Sequence, residues 1–157
     1  MKTFKTILAV FILLLPMCRL FAGDLSPAGE RFRSAVVSYL KSEGYPSSVD
    51  DDGDIIFKKE GKSYFVSVHD FNDGVYCKVF HLVKADNLDE AETRKALHIA
   101  DEVEGSLKFV RIFRTPSGKL FFIEIGHWFT DISQFRSLFP VMMDVVMTAR
   151  RQFLDGF

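Results

Sequence analysis

Asp50-Asp51-Asp52-Gly53-Asp54 is the densest run of oxygen ligands in the chain, and the chemistry it suggests is calcium binding. Placing Gly53 on the invariant glycine of an EF-hand loop puts Ser48 at the first ligand position and Lys59 at the last, and both are wrong ligands. The run therefore reads as a hairpin turn with an acidic rim. The four histidines, His69, His81, His98 and His127, include no pair at i, i+4, and no cysteine cluster stands near them. His127 with Glu124 or Asp131 has the residue types of a base and its orienter. No nucleophile elbow, phosphate loop or zincin helix accompanies them, so the expectation is a protein that is not an enzyme and carries no cofactor or metal. Arg111 and Arg114, with Lys108 and Lys119 close by, form a small basic cluster. It reads either as a receptor for carboxylate or phosphate or as an edge strand guarded by charge.

These side chains must be carried by elements that the spacing of apolar residues and turn signals defines. Ser26 followed by Pro27 opens a helix whose apolar face is Phe32, Ala35, Val36, Tyr39 and Leu40, and Gly44 stops it. Between Ser48 and Val83, short apolar runs are separated by Asp52-Gly53, Lys59-Glu60-Gly61 and Asn72-Asp73-Gly74, which predicts a three-stranded antiparallel meander. Asn87 with Glu90 resembles a capping box for a second helix, marked by Leu88, Ala96, Ile99, Ala100 and Val103 and ending at Gly105. Leu107 to Arg114, the turn Thr115-Pro116-Ser117-Gly118, and Leu120 to Trp128 predict a second hairpin. Asp131 and Gln134 open a last helix with Phe135, Leu138, Phe139, Met142, Val145, Val146, Ala149 and Phe153 as its stripe. Pro140 predicts a kink there, or a short helix followed by a longer one. The expected fold is α+β, a five-stranded antiparallel sheet in the order α-β-β-β-α-β-β-α with helices mainly on one face.

That order resembles the YbjN-like family of bacterial proteins. So does the passage from Leu40 to Gly44 into Asp51-Asp52-Gly53-Asp54-Ile55-Ile56-Phe57 and Glu60-Gly61-Lys62-Ser63-Tyr64-Phe65-Val66. The resemblance implies the fold of type III secretion chaperones. Family members are described as sensory transduction regulators, and the chaperone relatives bind polypeptide as homodimers.

Alternation along the strands divides their residues into two faces. Tyr64, Val66, Val68, Val75, Cys77, Val79, Val110, Ile112, Phe121, Ile123 and Ile125 form an apolar set that suits a helix-covered face. Cys77, in phase with its two valines, reads as a buried hydrophobe. The opposite set mixes rings with charges: Phe65, Ser67, His69, Tyr76, Lys78, Phe80, Phe109, Arg111, Phe113, Phe122, Glu124 and Trp128. A solvated face would not carry so many rings, and an internal one would not carry Lys78, Arg111 and Glu124 unpaired. Aromatic and Arg enrichment with a few polar groups is the composition of protein interfaces. Phe65, Tyr76, Phe80, Phe109, Arg111, Phe113, Phe122 and Trp128 are the candidate binding residues.

Residues 1–22 have the parts of a secretory signal: Lys2 and Lys5, an apolar run from Ile7 to Leu15, then Pro16 and a cleavage site after Ala22. The run is far shorter than the ~20 residues of a membrane-spanning helix. Bulky Met17 before Cys18 argues against a lipid anchor. The expected mature chain is a single domain, 23–157, exported to the periplasm or beyond and without stable membrane insertion. Losing Lys2, Lys5 and Arg19 takes its charge below the −1 of the whole chain, which disfavours nucleic acid as a partner. Two functions remain. One is a protein-binding or assembly module using the aromatic face, with an unlike polypeptide or a second copy. The other is a small-ligand binding or sensing domain with a pocket between sheet and helices and Arg111 or His127 as its polar group.

Overall fold

The computed structural model describes residues 25–157. The expected signal, its cleavage site and Cys18 lie outside the described residues. Helix α1 (Pro27–Ser42) begins as its sequence dictates, with the Ser26 hydroxyl accepting from the Ala28 and Gly29 amides at 3.2 Å each. Four strands follow: β1 (Ser47–Val49), β2 (Ile55–Lys59), β3 (Lys62–Phe71) and β4 (Gly74–Lys84). Then come α2 (Glu90–Ser106), β5 (Val110–Arg114), β6 (Leu120–Phe129) and α3 (Ile132–Asp155). The sheet is antiparallel throughout, with six strands in the order β1-β2-β3-β4-β6-β5. The fold class is α+β as expected, but the sheet has one strand more than the five expected. The extra strand is β1, paired with β2 from Ser47 opposite Phe57 to Val49 opposite Ile55.

Turn chemistry sets the register. Glu60 and Gly61 both take positive φ, 51° and 73°, which closes the β2–β3 hairpin tightly. In the acidic turn, the Asp50 carboxylate accepts from the Asp52 and Asp54 amides at 3.1 and 3.0 Å. Arg33 of α1 donates to the Gly53 carbonyl at 3.2 Å, so the turn is tied to the helix.

Two expectations shift in detail. The capping box of α2 is Asp89 with Glu92, not Asn87 with Glu90, each side chain meeting the other's backbone amide at 2.8 and 2.9 Å. Helix α3 runs through Pro140 as one element rather than two, capped by Asp131.

The apolar set joins the helices in a single core, with Tyr64, Val66, Val79, Ile123 and Ile125 packed against Phe32, Val36, Val103, Phe135 and Val146. Rings of α1 and α3 interlock there, Tyr39 meeting Phe135 at 6.1 Å and Phe139 at 5.7 Å, both edge-on. Cys77 is fully buried, and burial pushes its thiol up to about 12, which leaves it inert. At the edge of the sheet, the outward amide of Ile112 in β5 donates to the Glu104 carboxylate of α2.

Candidate functional site

The register fixes which side chains share the face that the helices leave uncovered. One row crosses all six strands: Ser48, Ile56, Phe65, Phe80, Glu124 and Arg111. Beside it runs a row of Leu82, Phe122 and Phe113. On the other flank lie Ser67, Lys78 and Gly126, and then His69, Tyr76 and Trp128. Neighbours in such rows and on their diagonals are close enough for rings to meet.

They meet as a stack. Phe65 lies on Phe80 at 5.1 Å, Phe80 on Phe122 at 5.3 Å, and Phe122 on Phe113 at 5.3 Å, with interplanar angles of 13°, 27° and 10°. The Arg111 guanidinium closes the series over the Phe113 ring at 5.3 Å. Phe80 is 5% exposed yet belongs to no part of the helix-covered core, because its neighbours in the stack shelter it. A second cluster stands at the far end of the face. Trp128 meets Phe71 at 4.8 Å and Tyr76 at 5.7 Å, and Phe71 and Trp128 are 58% and 51% exposed.

Between the clusters lies a polar strip. Glu124 is 5% exposed and faces Lys78 Nζ at 3.5 Å and Arg111 Nη1 at 3.6 Å. Two cations thus answer one buried carboxylate, the condition for keeping a charge there. Ser67 Oγ is buried without a hydrogen-bond partner among the described residues. At the entry to β2, partial burial and then the Asp50 and Asp52 carboxylates push the Asp54 carboxyl up to about 6, against the pull of Lys78.

Seven of the eight candidate residues therefore fall into two clusters on one face. Phe109 is the exception: it takes a left-handed φ of 69°, β5 begins only at Val110, and the ring makes none of these contacts, standing 82% exposed. Alternation holds only inside a strand, so the sequence reading placed it wrongly. Phe71 was missed, although it continues the phase of Phe65, Ser67 and His69. Arg111 and His127 do not share a pocket. Arg111 belongs to the open face, whereas His127 follows Ile123 and Ile125 onto the helix side and meets Phe129 edge-on at 5.2 Å. Arg114 is held in its own hairpin, donating to the Gly118 carbonyl at 3.0 Å.

Two clefts of about 480 Å³ each open on the helix side, one bordered by His127, Asp131 and Gln134, the other by the β2–β3 turn and the end of α3. The first is lined mostly by apolar surface, and the second by polar and apolar surface in similar measure. The Asp131 carboxylate in the first is committed to the Ser133 and Gln134 amides at 2.7 and 3.1 Å. Among the described residues, no helix is long and apolar enough to cross a membrane.

No family model matches the chain, no curated protein matches it, and no solved structure matches it.

Proposed function

We propose that the chain is an exported, non-catalytic protein-binding or assembly module, and that the uncovered sheet face is where it meets polypeptide. The observation that carries this is the stack Phe65–Phe80–Phe122–Phe113 under Arg111, which spans four strands and, among the described residues, has no helix over it. A row of aligned rings with an Arg at its end and a buried carboxylate ion-paired beside it has the make-up of an interface core and rim. An open aromatic surface suits a protein partner. The likeness to the YbjN-like family and the chaperone fold points the same way, because those chaperones bind polypeptide.

The test uses residues 23–157, following light scattering and the emission of Trp128, the sole tryptophan of the chain, which lies on the face in question. Expected is a stoichiometric complex, with a second copy or with a polypeptide recovered from the native envelope fraction, accompanied by a blue shift. Phe122→Ser should weaken it by about tenfold or more. A monomer that recovers no polypeptide, or a complex indifferent to Phe122→Ser and Phe113→Ser, would overturn the proposal.

A further inference from the structure

The cleft between the β2–β3 turn and the end of α3 stands apart from the aromatic face and rests on different residues. Its walls carry Lys62, Arg150 and Arg151 together with Glu60 and Asp144, and Tyr64 forms part of its floor. None of these five charged side chains forms an ion pair with any described residue, although both signs line one cleft. Four of the five are exposed and solvated, and only Arg150 is half-buried, so the cleft is distinguished by both signs lining it around that one sheltered guanidinium.

One of the five is held in place from behind. Arg150 Nε donates to His81 Nε2 at 3.0 Å, so the ring proton of His81 must sit on Nδ1, which donates to the Ser63 carbonyl at 2.8 Å. His81 is itself buried on the helix side and lies against the Tyr64 ring at 5.1 Å. Burial, ahead of the neighbouring Arg150 and Lys62 charges, lowers its pKa, with the Ser63 hydrogen bond opposing, so the ring stays neutral and keeps its acceptor. The relay Ser63–His81–Arg150 fixes the guanidinium by one edge. Its two terminal amino groups have no hydrogen-bond partner among the described residues and retain the fork that grips a carboxylate.

We propose that this cleft binds a small zwitterion of the amino-acid class, its carboxylate taken by Arg150 with Lys62 and Arg151, its ammonium by Glu60 and Asp144. A plain oxyanion such as phosphate fits less well, because the two carboxylates repel it. The volume, about 480 Å³, lies in the range of small-ligand sites. His81 is a positioning residue and touches no ligand.

The experiment is a titration of the whole mature chain with each common amino acid and, separately, with inorganic phosphate and acetate, followed by calorimetry and by NMR of the Arg150 side chain. Expected is saturable binding of at least one amino acid below about 10 mM. Arg150→Met should weaken it about tenfold or more, and so should the exposed pair Lys62→Met with Arg151→Met, which leaves the core untouched should Arg150→Met fail to fold. Glu60→Gln with Asp144→Asn should weaken the amino acid while strengthening phosphate or acetate, an inversion that a merely structural role does not produce. His81→Phe should weaken binding without altering the preference between amino acid and phosphate. The proposal is overturned if no amino acid binds, if binding survives in both cation variants, or if phosphate binds as tightly as the best amino acid. Because the aromatic face shares none of these residues, Phe122→Ser should leave amino-acid binding unchanged, so failure here and failure of the protein-binding role are separable.

Discussion

The Tyr76 ring lies directly over Gly126, so closely that a Cβ built at residue 126 would run into the phenol. The glycine is there for the approach of a ring, not for an unusual backbone angle. Tyr76 uses the space to reach Trp128, 5.7 Å away on the same face. Gly126→Ala should therefore displace Tyr76, change the emission of Trp128, and cost about 1–3 kcal/mol in thermal or denaturant unfolding. Unchanged emission would show that Tyr76 does not set the Trp128 environment.

Glu124 predicts an asymmetry between the members of its ion triad. Replacing both Lys78 and Arg111 by Met leaves a buried carboxylate uncompensated, and unfolding should become easier by about 3 kcal/mol. Glu124→Leu removes the buried charge instead, and its two former partners reach water, with side chains 33% and 69% exposed. That change should cost under about 1.5 kcal/mol. Equal losses in denaturant melts would show that the triad acts through its pairings, not through the desolvation of one member.

Asp54 gives a pH dependence of defined sign. Its carboxyl, at about 6 in the fold, is raised above its ordinary 3.8, so between these values the folded chain binds more protons than the unfolded one. Its contribution to stability is therefore favourable at about pH 4 and is lost as pH rises through 6. Asp54→Asn should stabilise the protein near neutrality and flatten the difference across that window. Melting temperatures of the two proteins from pH 4 to 7 make the comparison, and parallel curves would show that Asp54 titrates normally.

Phe109 separates strain from binding. A phenylalanine in left-handed backbone is strained, and asparagine visits that region more readily. Phe109→Asn should raise stability by up to about 1 kcal/mol and leave partner capture intact, in contrast to Phe122→Ser. Loss of capture in Phe109→Asn would return this ring to the binding surface.

How far the sequence could be read depended on the length scale of each signal. The two faces of the sheet were legible because alternation repeats over the long strands β3, β4 and β6, where Tyr64, Val66 and Val68 go one way and Phe65 and Ser67 the other. β1 was not, because Ser47-Ser48-Val49 is three residues long and two of them are serine, and only pairing to β2 makes it a strand. The α2 cap was displaced because Asn87/Glu90 and Asp89/Glu92 satisfy one spacing rule, and in the fold Asp89 and Glu92 form the box. The His81–Arg150 contact joins residues 69 positions apart. No local pattern carries it.

The Glu104 carboxylate on the Ile112 amide has a consequence for how copies of this chain can accumulate. A sheet that recruits neighbours along its edges grows without limit, strand upon strand, toward fibres. Here one margin has an outward amide already taken by Glu104, and the other is the three-residue β1. Both margins are thus partly blunted, which favours the open face over the edges as a meeting surface. If the proposed face joins two copies, each presents only one such surface, so association through it would stop at a pair.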